Sequence, residues 1–146
     1  MNNSIRIRSN KNNLKVVRDF VTHFLSPYTL ADRELNQIIL AVDEITANLI
    51  IHANKEDENK FVKLAIFQTG DTFLFELSDN GHSFKPEKYR EPDIREIIKE
   101  GGKGGMGIAL VKRIMDKVEF TTQGNSNICR LYKKVNQLAW KLIQVR

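Results

Sequence analysis

Three short stretches hold the residue types from which a site could be built. In AVDEITANLIIHA, residues 41–53, Glu44 and Asn48 are four apart. On a helix that spacing separates them by about 40° and stacks them along one edge of the apolar stripe, beside the small residues Ala41 and Ala47. A carboxylate there can take a proton or position a nucleophile, and a carboxamide oxygen can ligate a hard divalent cation. The plainer alternative is that two polar residues simply flank a core face. In TFLFELSDNGHSF, residues 72–84, the period of a strand puts Asp79 on the same side as Phe73, Phe75 and Leu77. A carboxylate at the end of a core-facing row is costly without a partner, and an amino group on a planar ring would suit it. The alternative is a turn aspartate bonded to its own backbone. In GGKGGMGIAL, residues 101–110, five glycines precede a helical apolar pattern. Glycines admit unusual dihedrals, and the N–H groups of a helix N-terminus attract anions.

The glycine run has several readings. Gly102, Gly104 and Gly107 match G-x-G-x-x-G, but a dinucleotide fingerprint needs a strand just upstream, and REIIKEGG is charged and helical in character. A Walker loop needs Gly-Lys followed by Ser or Thr, whereas Lys103 is followed by Gly104. No H-R-D-like segment of a eukaryotic-type kinase follows. A flexible loop that merely ends in a helix stays open.

The elements that must position these residues follow from periodicity. Ser4–Arg8 reads as a short strand, and Asn10 or Asn12 can cap a helix carrying Leu14, Val17, Val21, Phe24 and Leu25 that ends before Pro27. Leu30–Ala53 reads as one long helix with Leu35, Ile38, Val42, Ile45 and Leu49 on its stripe. A polar connector, 52–60, leads to strands Phe61–Gln68 and Thr72–Asp79 joined at Thr69-Gly70-Asp71. Residues 80–93 read as loop, Asp93 could cap a short helix, and a helix runs from about Met106 to Asp116. Lys117–Thr122 and Asn127–Val135 form a closing strand pair around Gly124-Asn125. The tail 136–146 is ambiguous. Hairpin-paired strands with segregated helices predict an α+β fold, with an antiparallel or mixed sheet covered on one face.

Composition sets the outer bounds. At 146 residues, 41% apolar and 28% charged, the chain is expected to be one soluble domain, 1–146. No run approaches the roughly 18 apolar residues of a membrane span and MNNSIRIRSN lacks a secretory apolar stretch, so a cytoplasmic protein without membrane association is expected. Cys129, in the alternating stretch NICRLY, reads as packing. The net charge of +5 is scattered, Lys133 and Lys134 being its strongest cluster, and no nucleic-acid-binding pattern accompanies it. Direct nucleic-acid binding is therefore not expected.

Taken together, the three stretches resemble, in order and spacing, the gyrase-type or Bergerat ATP-binding fold: an N-box with Glu and Asn, a D-x-G box after a strand, and a glycine box opening a helix. The nearest likeness is to the small bacterial anti-sigma factor serine kinases, stand-alone domains of this size, and it runs from the opening strand to about Val135. It implies a two-layer α/β sandwich with a mixed, mostly antiparallel sheet and helices on one face. It further implies ATP and Mg²⁺ as ligands, with Asn48 on the metal and Glu44 as base or orienter for an incoming hydroxyl. Asp79 would accept from the adenine amine, Gly81 would let the ring approach, and Gly102, Gly104, Gly105 and Gly107 would form the phosphate side. Residues 85–103 would be a lid.

Two positions depart from the family pattern: Ser83 stands where relatives have a second glycine, and Asn127 near where a Thr is usual. His52, one turn after Asn48, reads as packing, and His23 and His82 lack metal-spaced companions. Too few residues precede the Glu44 helix for the phosphoacceptor hairpin of a sensor histidine kinase, so the substrate is expected on another protein. The resemblance implies a serine/threonine protein kinase that sequesters a sigma factor, phosphorylates an antagonist and pairs as a homodimer. The alternative is a non-catalytic module whose bound ATP controls partner binding.

Overall fold

The computed structural model describes residues 3–53, 55, 57–79, 106–124 and 126–135. Asn80-Gly81, the expected lid 85–103, the helix expected after Asp93, Gly102, Gly104, Gly105 and the tail 136–146 lie outside them.

The chain opens with β1 (Ser4–Arg8), then a 3₁₀ turn, Lys11–Asn13. Asn10 caps that turn, its side-chain oxygen accepting from the Asn12 N–H at 2.8 Å. Helix α1 (Leu14–Leu25) follows and buries Val17, Val21 and Leu25 at steps of four. Helix α2 (Asp32–Asn48) starts two residues later than its periodicity predicts and places Asp32 and Glu34 in its first turn, where acidic side chains suit the helix dipole. It buries Ile38, Ala41, Val42 and Ile45.

The sequence predicts α-helix through Ala53, but Leu49–Ala53 is a π turn. Two local bonds accompany the change. The buried Thr46 hydroxyl donates back to the Val42 carbonyl at 2.7 Å, and the Leu49 N–H is shared between the Ile45 and Thr46 carbonyls. Propensity at single positions carries no mark of such a rearrangement.

Strands β2 (Phe61–Thr69) and β3 (Thr72–Asp79) form the expected hairpin, with Gly70 at φ +61°, the left-handed conformation a tight turn requires. Helix α3 (Met106–Ile114) precedes β4 (Lys117–Gln123) and β5 (Ser126–Lys134), which turn at Gly124, φ +60°. Strand order is β1-β2-β3-β5-β4 and every pairing is antiparallel. The fold is therefore α+β, as expected, with an all-antiparallel described sheet.

One sheet face carries Ile7, Val62, Leu64, Phe73, Phe75, Leu77, Cys129 and Leu131 into a core shared with the three described α-helices. The opposite face exposes Arg6, Arg8 and Lys63. Cys129 is packing, its thiol pushed up by burial. The cluster expected at Lys133 and Lys134 serves the fold: the Lys133 ammonium donates to the Ile114 carbonyl at 2.8 Å, closing α3, and Lys134 reaches Asp71 at 3.9 Å.

Candidate active site

Helix α2 packs against both α3 and β3, and its π turn also meets β3. It is thus the element on which the predicted residues of the three stretches depend. Glu44 and Asn48 lie on its last two turns and are half-buried, between fully buried Ala41 and Ile45 on one side and solvent on the other.

Glu44 meets the first turn of α3. A methyl group in place of the Gly107 hydrogen would overlap the Glu44 carboxylate, lying 3.1 Å from its Cδ and closer still to Oε2. Gly107 is therefore required for the approach of the carboxylate to the α3 backbone, a reason separate from φ. Burial first, and then the neighbouring Asp43 carboxylate, hold the Glu44 carboxyl above its ordinary value. Asp43 itself pairs with Arg18 of α1 at 2.8 Å.

At the far end of β3 the alternation delivers Asp79 inward, only 4% exposed, in line with Phe73, Phe75 and Leu77 at 0%. A buried carboxylate needs donors, and β5 supplies them. The Asn127 backbone N–H donates to Asp79 Oδ1 at 3.2 Å, and its side-chain Nδ2 donates to Oδ2 at 2.6 Å. Asn127 is itself 3% exposed. It is the residue whose role sequence reasoning undervalued: it stood out only as a departure from the usual Thr. Its bond to Asp79 arises because β5, not β4, lies beside β3. Of the predicted site residues, then, Glu44 and Gly107 are in contact and Asp79 is held by Asn127, while Asn48 follows Glu44 by one turn. Gly81, Gly102, Gly104 and Gly105 are outside the described residues.

Comparison with known proteins gives this arrangement a family. The family described as "Histidine kinase-like ATPase domain" matches residues 7–133, which include Glu44, Asn48, Asp79, Gly107 and Asn127. The chain belongs to that family.

Among relatives of this ATPase domain is the serine-protein kinase RsbW of Halalkalibacterium halodurans, 33% identical over 96 residues, a stretch covering 63% of this chain and 57% of that protein. RsbW of Bacillus subtilis is 28% identical over 90 residues, 58% of this chain and 56% of the other. The likeness thus spans somewhat more than half the length of either curated relative. The solved structure of the SiaB–SiaC complex of Pseudomonas aeruginosa contains a chain with the same fold, at TM-score 0.61 and 14% identity over 90% of this chain and 89% of that one.

The chemistry of the residues suits the ligands the ATPase fold implies. Asp79 is a buried acceptor at a strand end, and a carboxylate offers about four acceptor directions, two of which Asn127 uses. Among the described residues no cluster of three or more His, Cys, Asp or Glu gathers. A single carboxamide such as Asn48 fits Mg²⁺, which keeps most of its shell as water and phosphate oxygen. No described helix is long and apolar enough to cross a membrane.

Proposed function

We propose that the protein is an ATP- and Mg²⁺-dependent serine/threonine protein kinase of the anti-sigma type, which holds a sigma factor and phosphorylates the hydroxyl of an antagonist protein. The observation that carries the catalytic part is the Glu44 carboxylate, desolvated against Gly107 with its affinity for protons raised. A general base works best when its pKa approaches the operating pH, and burial moves a carboxyl in that direction. In this reading Glu44 takes the proton of the incoming hydroxyl as its oxygen bonds to the terminal phosphorus and the bond to the bridging oxygen breaks. Asn48 would hold Mg²⁺, which when bound neutralises the phosphate charge.

Asp79, steadied by Asn127, would accept from the adenine amine beside Gly81. The N-terminal turn of α3 at Gly107, with Gly102, Gly104 and Gly105, would present backbone N–H groups to the phosphates. Phosphoryl transfer depends mainly on positioning and charge neutralisation, so this short set of side chains suffices. The relatives named serine-protein kinase and the family support the activity; the sigma factor, the antagonist, a homodimer and a cytoplasmic location are part of the same proposal.

Transfer of labelled γ-phosphate to candidate antagonists tests it. Wild type should label a serine or threonine, and Glu44→Ala should reduce the rate by 10²-fold or more, the usual weight of a general base. Wild type that binds ATP and switches partners without labelling any of them would replace the kinase by a nucleotide-controlled binding module.

A further inference from the structure

The sheet face turned away from the helices has one unbalanced row. Along that face the row Glu76–Arg130–Glu119 is matched in charge, with Arg130 Nε 2.9 Å from Glu76 Oε2, and Lys117 lies 3.6 Å from Glu119. The adjacent row is Arg6–Lys63–Ser78, running directly across β1, β2 and β3. Like charges opposite each other across strands repel. Among the described residues no carboxylate pairs with either Arg6 or Lys63. Arg6 instead sits over the Phe61 ring, its guanidinium carbon 4.0 Å from the centroid, with Arg8 at 5.3 Å from the same ring.

These residues border an open pocket of about 250 Å³ lined by Arg6, Phe61, Lys63, Ser78, Asp79 and Ser126. Two cations and two hydroxyl donors form its polar wall. Its acidic member, Asp79, accepts from the neutral donors of Asn127 at both carboxylate oxygens and keeps its negative charge. The volume is below the roughly 300 Å³ at which drug-sized sites begin, and suits a side chain or small metabolite.

We infer that this pocket binds a phosphate monoester, its oxygens held by Arg6 and Lys63 and accepting from the Ser78 and Ser126 hydroxyls. Two cations against the single Asp79 carboxylate leave the lining net positive, and Arg6, Lys63, Ser78 and Ser126 together offer donors to several oxygens of one tetrahedral anion, more than a carboxylate presents. The guanidinium fork, held on Phe61, suits two oxygens of one phosphate. The site borders Asp79 but takes its cations and hydroxyls from the sheet face turned away from the helices, so it does not depend on the nucleotide proposal.

Titration of the ¹⁵N-labelled protein with inorganic phosphate and, separately, with a short phosphoseryl peptide tests the inference. Saturable shifts at the amides of Lys63, Ser78 and Ser126 are expected, weakened at least tenfold in Arg6→Gln/Lys63→Gln, whose ATP affinity should equal wild type. Tighter binding of the peptide than of phosphate assigns a phosphorylated protein side chain as the occupant; equal binding assigns the free anion. If neither probe shifts these amides, or the double variant binds both as wild type does, the inference is overturned.

Discussion

At the scale of single residues the most exacting contact is that between Gly107 and Glu44. Because the carboxylate ends a flexible side chain, it can swing away from an added methyl group at little cost to the fold. Gly107→Ala should therefore leave the thermal midpoint within a few degrees while lowering the phosphotransfer rate about tenfold or more. A rate equal to wild type would show that the carboxylate position is immaterial. Asn127→Ala removes the 2.6 Å bond and leaves a buried carboxylate with one fewer donor, a loss of about 1–3 kcal/mol in urea unfolding.

The Glu44 carboxyl gives a pH test. Its pKa is raised, first by burial and then by Asp43, so the folded state binds the proton more tightly than the unfolded chain. Stability should fall as pH climbs from the ordinary glutamate value through the raised one. Glu44→Gln, compared with wild type by thermal unfolding across that window, should show a flatter profile and be the more stable at neutral pH.

Much of this was legible from residue type and spacing: strand alternation alone turned Asp79 inward, and the four-residue step put Glu44 and Asn48 on one helix edge. The Asp79–Asn127 bond was not, because it joins residues 48 apart through a strand order that local pattern does not encode. The Glu44–Gly107 contact was hidden for the same reason, since helix packing brings it about.

At the scale of elements, the antiparallel hairpins followed from period two and from glycines at both turns, and their boundaries shifted by a residue or so. The end of α2 did not follow. Helical spacing continues unbroken through Leu49, yet the backbone widens into a π turn directly after Asn48, where Thr46 has already diverted the Val42 carbonyl. The lysine pair near the C-terminus was legible as charge but not as a helix cap. Lys133→Met should keep the stem's packing and lose the bond to the Ile114 carbonyl, destabilising the fold by about 1 kcal/mol in urea unfolding.

At the scale of the molecule, the three described α-helices on one face of the described five-stranded sheet bury Phe73 and Phe75 completely. Phe75→Ala should cost about 3–5 kcal/mol, a large part of a typical domain's 5–15 kcal/mol, read by thermal or urea unfolding. The same architecture separates two chemistries. The covered face ends in a carboxylate held by the neutral Asn127, and the open face gathers cations from β1 and β2 that look scattered in sequence until antiparallel register sets Arg6 against Lys63.

The central claim is that Asp79, fixed by Asn127, selects adenine in a chain that binds ATP. Calorimetric titration of ATP with Mg²⁺ into wild type and Asp79→Asn tests it most directly. Saturable binding by wild type, weakened at least about thirtyfold in a variant that still folds, is the predicted result. No binding by wild type, or equal binding by the two, would contradict the account.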